Sequence, residues 1–335
     1  MQKFVAHFFA VAVFRSPATG LVEINPETPL PLSPNLRGAL FMIVAMVGFT
    51  LNDAITKFSS ESMNMAQVML VRGAFASFFV GLLAWRRGAL VNPAAMLQPM
   101  VAMRVAGEAG ATVSFLIALA HLPIGNVSAV MQALPLAVTM GAALVFGESV
   151  GWRRWTAIVA GFVGVLIIVR PGFEGFSVYS LVALASVACC AVRDLSTKRI
   201  PHAIPTMLVS TATALAMTVL GALLLSPMGG WTPMSGRSTM LLALAAVLVL
   251  IGYQFIIMAM RAGDISFIAP FRYTALLWSI LLGLVIFGDV PDLPMIVGAA
   301  IIIGSGLYAL YRERVVGRQQ PASESAGPDM APDGI

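Results

Sequence analysis

Seven ionisable side chains fall inside stretches that are otherwise apolar: Asp53, Arg72, Arg104, Glu108, Arg193, Asp194 and Arg272. A charge at the middle of a membrane-spanning helix costs about 2.5 to 3.5 kcal/mol on insertion scales, so each of these needs a partner or a task. Three kinds of chemistry are open to them: ion pairing, proton exchange at a carboxyl group, and recognition of an oppositely charged solute. Arg104 and Glu108 are four residues apart and share one helix face, where the spacing predicts mutual neutralisation, with Glu108 as a proton site that the arginine tunes. Asp53 with Arg72, and Asp194 with Arg272, are predicted as charge pairs at the two ends of an interior pathway. The plainer reading makes both aspartates interfacial residues with an i,i+4 lysine, Lys57 and Lys198. With all seven ionised there are four cations against three anions, a surplus that suits an anionic or zwitterionic ligand.

Uncharged polar residues in the same stretches extend the set. Asn52, Gln132, Tyr253, Gln254 and Tyr273 can hydrogen-bond, and Phe115 or Trp278 can stack on a flat ligand. Tyr253 and Gln254, adjacent in an apolar stretch, are the first choice for ligand contact; the alternative is helix bridging, at about 0.6 kcal/mol each. Pro135 and Pro270 each remove an intrahelical hydrogen bond and predict a break, unless Pro270 lies in a first turn. Enzymatic chemistry finds no support. There is no His-Glu-x-x-His and no phosphate-cradling Gly-rich loop ending in Lys-Ser/Thr. The two cysteines, Cys189 and Cys190, are adjacent, which suits neither a structural disulfide nor a spaced metal site. No cofactor and no metal are expected, and His121 reads as a loop residue.

The elements that must position these residues are membrane helices. The chain is 59% hydrophobic and only 10% charged, against about 25% charged in soluble domains, which excludes a soluble globule. Ten apolar windows of about 20 residues are predicted to span, near 37–57, 64–85, 99–121, 125–147, 152–169, 177–198, 204–225, 238–260, 265–288 and 294–311. Basic residues cluster on alternate loops. Arg86, Arg87, Arg153, Arg154, Lys198, Arg199, Arg261, Arg312, Arg314 and Arg318 fall on one side and only Lys57, Arg170 and Arg237 on the other, so both termini are expected in the cytoplasm. The net charge of +5 is scattered in pairs between spans, which argues for topology signals and against a nucleic-acid surface. Ala157 with Gly161, Ala160 with Gly164, and Ala300 with Gly304 are small-xxx-small pairs that predict close helix contact, within one chain or across a homodimer.

The spans repeat. Asn52-Asp53-Ala54-Ile55-Thr56-Lys57 recurs as Arg193-Asp194-Leu195-Ser196-Thr197-Lys198, a separation of 194 − 53 = 141, and Phe146-Gly147-Glu148 recurs at the same step as Phe287-Gly288-Asp289. The expected fold is all-α: ten transmembrane helices as two inverted five-helix repeats, because an odd number of crossings per copy turns the second copy over. The expected divisions are a flexible lead-in at 1–35, a first repeat at 36–170, a second at 176–313, and a disordered tail at 314–335.

The pair Asn52-Asp53, Val71-Arg72-Gly73, and the stretch from Leu134-Pro135-Leu136 through Gly147-Glu148 to Trp152-Arg153-Arg154 and Gly161–Gly164 resemble the drug/metabolite transporter superfamily, EamA-like branch. The resemblance covers about residues 36 to 313. It implies a secondary carrier of a small polar or amphipathic metabolite in the bacterial inner membrane, driven by the substrate gradient or by protons. Riboflavin-like vitamins and S-adenosylmethionine are the substrates it brings to mind, and an intramembrane enzyme or a channel is the competing class. Arg272, and Asp289 in place of a glutamate, depart from the family pattern.

Overall fold

The computed structural model describes residues 33–315, apart from 87, 89–92, 148, 149, 174, 202, 263 and 264. Glu148, Arg87, Arg318, the lead-in up to residue 32 and the tail from 316 lie outside the described residues. Ten helices among the described residues are long and apolar enough to cross a bilayer: α1 (Pro34–Ser60), α2 (Met65–Arg86), α3 (Pro99–His121), α4 (Ile124–Phe146), α5 (Trp152–Val169), α6 (Val178–Thr197), α7 (Thr206–Leu225), α8 (Gly236–Met260), α9 (Ala269–Phe287) and α10 (Leu293–Arg312).

Local chemistry sets their ends. Asp292 caps α10, its Oδ1 accepting from the Met295 amide at 3.0 Å, and Ser177 caps α6 by accepting from the Tyr179 amide. Gly147 and Gly288 terminate α4 and α9 at φ 67° and 70°, a left-handed conformation that glycine adopts without strain, and they are one 141-residue step apart. The prolines act as the sequence predicts, but more strongly. α4 is two helices, Ile124–Met131 and Leu134–Phe146, with Pro135 in the first turn of the second. The stretch expected as a continuous span from 265 to 288 is a short helix Ile265–Ile268, a 3-10 turn Ala269–Tyr273 with Pro270 in its first turn, a helix Thr274–Leu282 and a π turn Gly283–Phe287.

Pairing between helices is the informative part of the architecture. α1 packs chiefly on α8, α3 on α6, α2 on α7 and α5 on α10. Replacing each helix n by n+5 turns the first pairing into the second and leaves the other two unchanged, so the bundle repeats itself. The register of the repeat is the one seen in the sequence. A Cβ added at Gly48 on α1 would meet the Leu248 carbonyl oxygen of α8 at 3.1 Å, and one added at Gly107 on α3 would meet the Cys189 carbonyl oxygen of α6 at 3.1 Å. Adding 141 to Gly48 gives Cys189, and to Gly107 gives Leu248. Ser77 of α2 and Thr218 of α7, also 141 residues apart, share a hydrogen bond of 2.9 Å, which places them on the pseudo-two-fold axis. With five crossings in each half, equivalent helices run in opposite directions.

The contact between α5 and α10 differs in part from expectation. Gly164 and Gly298 meet backbone to backbone, a Cβ on either falling 2.8 or 2.6 Å from the other's carbonyl oxygen. Ala157 and Gly161 are buried in this seam as expected, whereas Ala160, Ala300 and Gly304 lie on exposed faces. The spacing rule locates a small-residue stripe but not the side of the helix that meets a neighbour. Large apolar side chains such as Phe78, Trp85, Leu144, Met240 and Val285 are exposed, as a lipid-facing surface requires.

Candidate functional site

The charged residues predicted from the sequence do converge on the interior. Helical periodicity shows it: Asp53 stands nine residues from the exposed Val44, and Glu108, Arg72 and Tyr253 each stand two residues from an exposed Ala106, Ala74 or Ile251. At 3.6 residues per turn these offsets place them about 180° to 200° round their helices from the lipid-facing stripe. All four are nonetheless only half-buried, so neighbouring side chains do not cover them completely.

The second half is closed by direct ion pairing. Arg193 of α6 donates from Nε to Asp194 Oδ1 at 2.7 Å and from Nη1 to Glu108 Oε2 of α3 at 3.0 Å. Arg193 and Asp194 are 6% and 1% exposed, and a buried pair of this kind is stable only while both members are present. Asp194 Oδ2 is buried with no hydrogen-bond partner, and Arg272 of α9 acts on this carboxylate electrostatically. The expected Asp194–Arg272 link is therefore secondary to the Asp194–Arg193 pair. Glu108, which its i,i+4 neighbour Arg104 attracts through space as expected, likewise takes its hydrogen-bonded ion pair from α6. The cause is Gly107, where a Cβ would lie 2.8 Å from the Arg193 amide nitrogen, so α6 comes close enough for Arg193 to reach the neighbouring carboxylate. Arg104 donates from Nε to Thr197 Oγ1 at 3.0 Å and from Nη1 to Thr213 Oγ1 at 2.7 Å, tying α3 to α6 and α7.

The first half is arranged differently. Arg72 Nη1 of α2 donates to Asn52 Oδ1 at 3.1 Å and, at 3.4 Å, to Thr56 Oγ1 of α1. The Asn52 amide nitrogen donates in turn to Asp53 Oδ1 at 2.9 Å. Asn52 thus links the arginine and the aspartate, which also attract one another through space. Tyr253 of α8 interacts with Arg72 and packs edge-on against Phe49, ring centroids 5.1 Å apart.

Other expected contacts fall elsewhere. Gln254 lies on the exposed stripe of α8 with Met240, Leu244 and Ile251, and is not brought to the cluster. Tyr273 is buried with its hydroxyl directed at Gly306 of α10, where an added Cβ would lie 1.9 Å away, and the hydroxyl has no partner. Thr56, Thr197 and Thr213 are the residues that sequence reasoning passed over. The first two occupy the same place in the duplicated six-residue stretch, which was the available signal. His121 stacks on Tyr179 with centroids 3.7 Å apart, and the described residues hold no group of three or more His, Cys, Asp or Glu side chains suited to a metal.

Two further contacts obey the repeat. The Lys57 ammonium lies 5.3 Å from the Phe287 ring centroid, and the Lys198 ammonium 6.0 Å from that of Phe146, each residue 141 positions from its counterpart. Lys57 also donates to the carbonyls of Leu119 and Leu122. On the same face Arg170, after α5, pairs with Asp292, before α10. Partial burial pushes the Asp292 carboxyl up, but hydrogen bonds from Arg170 and the Met295 amide, with the charge of Arg170, outweigh it and hold the group below the ordinary carboxylate value.

Comparison with known proteins agrees with this geometry. Residues 36–170 match the EamA-like transporter family. A riboflavin transporter of Rhizobium johnstonii is 28% identical over 86% of this chain and 96% of its own length. An S-adenosylmethionine uptake transporter of Rickettsia prowazekii is 25% identical over 84% and 95%, and the pseudopaline exporter CntI of Pseudomonas aeruginosa 25% identical over 79% and 93%. A solved structure, 19% identical and covering 84% of this chain and 99% of its own, superposes with a TM-score of 0.59, which speaks for a shared fold.

Proposed function

We propose, from the premise that this chain belongs to the EamA-like transporter family, that it is a secondary carrier moving a small polar metabolite across the bacterial inner membrane by alternating access. The chain is a multi-pass membrane transporter and not an enzyme. The observation that carries the finer reading is the half-buried polar cluster, assembled from α1, α2, α3 and α8 on faces turned away from lipid, at the meeting of two pseudo-symmetric halves. A two-fold arrangement of inverted units has two states of similar energy, one open to each side, related by exchange of the halves' local conformations. Both termini lie in the cytoplasm by the distribution of Lys and Arg. The two repeats are residues 36–170 and 176–313. Transport runs on the substrate's own gradient or on protons. Riboflavin and S-adenosylmethionine, named for two of the relatives, are the first substrates to test.

Counterflow in proteoliposomes is the deciding experiment. Vesicles loaded with a panel of metabolites, these two included, are expected to accelerate entry of a labelled counterpart with saturation, and an imposed pH gradient identifies proton coupling. Uptake that rises linearly with concentration, or fails to respond to internal substrate, would refute the carrier.

A further inference from the structure

The repeat makes Asp53 and Asp194 equivalent, yet their surroundings are not. At the position before Asp194 stands Arg193, which closes on the carboxylate at 2.7 Å. At the position before Asp53 stands Asn52, a neutral and shorter residue. Its carboxamide accepts from Arg72 through Oδ1 and donates to Asp53 through Nδ2, so it is a wedge between cation and anion. The position equivalent to Arg72 in the second half is 72 + 141 = 213, a threonine already engaged by Arg104. One copy of the duplicated acid is sealed and the other is held open.

The consequences are chemical. The hydrogen bonds that Arg72 makes to described residues all come from Nη1, which leaves the Nε and Nη2 edge of the guanidinium, the edge that takes a carboxylate in two parallel bonds. Asp53 receives one bond at Oδ1 and is half-buried on the interior face of α1, whereas its counterpart is 1% exposed. A guanidinium and a carboxylate kept one amide apart, both half-buried on inward faces of their helices, are complementary to an ammonium and a carboxylate carried on a single carbon. A direct Arg72–Asp53 pair would satisfy both groups and leave nothing for a ligand.

We propose that Arg72 and Asp53, spaced by Asn52, form the receptor for the α-ammonium and α-carboxylate of a zwitterionic, amino-acid-bearing substrate, with Tyr253 beside Arg72 bordering it. This rests on the carrier reading above and deepens it. Arg72 takes the carboxylate, Asp53 takes the ammonium, and the remainder of the substrate extends into the space between the halves.

The test uses the full-length protein in proteoliposomes with three probes: S-adenosylmethionine, its decarboxylated analogue, and riboflavin, which has no amino-acid group. A set of proteinogenic amino acids is added as competitors. The expected result is exchange of at least one zwitterion in the set, with the matching decarboxylated or amide-blocked form competing about 10- to 100-fold more weakly, the loss of one charge-assisted bidentate contact. Arg72→Gln should erase that preference, Arg72→Lys should restore part of it, and Asn52→Ala, which lets Arg72 and Asp53 close on each other, should weaken the zwitterion about 10-fold while the variant still elutes as folded protein. Equal competition by both forms in wild-type vesicles, or exchange of riboflavin and of no zwitterion, overturns the receptor and leaves the carrier standing. Refutation of the carrier itself requires the separate failure of saturable counterflow with the whole metabolite panel.

Discussion

Arg193→Met is the most exposing perturbation of the interior cluster. In the wild type one guanidinium serves two carboxylates, Asp194 at 2.7 Å and Glu108 at 3.0 Å, with side-chain exposures of 1% and 18%. Methionine matches the volume and removes the charge, stranding both acids where water screens them little. Removing one partner of a buried ion pair costs about 3 to 5 kcal/mol. At about 2 to 4 °C per kcal/mol for a chain of this order, the melting temperature in detergent should fall by roughly 10 °C. Arg72→Met provides the contrast, because the groups it hydrogen-bonds are the neutral Asn52 and Thr56 and its attraction to Asp53 acts only through space, and the expected loss is about 1 to 2 kcal/mol. The triple variant Glu108→Gln, Arg193→Met, Asp194→Asn removes every charge of the triad together and should recover most of the lost stability, since neutral replacement of a whole buried network is often tolerated. Thermal unfolding of the purified variants, followed by size-exclusion recovery after heating, reads all three. Equal melting of the two single variants, or a triple variant no more stable than Arg193→Met, would refute the assignment of Arg193 as the keystone of a sealed triad.

Three other outcomes are expected. Gly164→Ala or Gly298→Ala forces a Cβ to within 2.8 or 2.6 Å of a facing carbonyl oxygen and should destabilise the α5–α10 seam by about 1 to 3 kcal/mol, whereas Gly304→Ala, with nothing within 4 Å, should be neutral or slightly stabilising. Melting curves of the three variants decide it. Asp292→Asn keeps the helix cap but loses the charge that pairs with Arg170; because the folded carboxyl titrates below its unfolded value of about 3.9, the difference from wild type should be constant at neutral pH and vanish as the pH falls through the folded value. With Asp292 47% exposed the difference is small, about 0.5 kcal/mol after solvent screening, and Asp292→Ala should cost about 1 kcal/mol more through the lost cap. Finally, cysteines placed at Glu61 and Arg199 in a Cys189→Ala, Cys190→Ala background should react with a membrane-impermeant maleimide from opposite sides of the membrane; labelling from one side contradicts the inverted arrangement.

The number and place of the crossings were legible because hydropathy alone sets where a helix can enter lipid. The duplication was legible because the 52–57 and 193–198 stretches kept their order of residue types. What could not be read was azimuth. The helices are apolar nearly all round, so residue order carries no mark that Gln254 joins Met240 and Ile251 on the exposed stripe while Tyr253 turns inward. Partner choice was hidden for the same reason. The i,i+4 rule pointed to Arg104–Glu108, which do attract one another through space, but it knows only one helix, and the hydrogen-bonded partner of Glu108 arrives from α6 through the gap left by Gly107. Small-residue spacing picked out Ala300 and Gly304, two and six residues from the Gly298 that makes the contact.

The pairing of α1 with α8, α2 with α7, α3 with α6 and α5 with α10 has a consequence for biogenesis. A ribosome that has finished the first five helices has made none of the principal interfaces, and Glu108 waits in the bilayer for an arginine 85 residues further along the message. The nascent half must be sheltered until its successor is threaded in, and a prematurely terminated product is marked for proteolysis by its own unmatched charges.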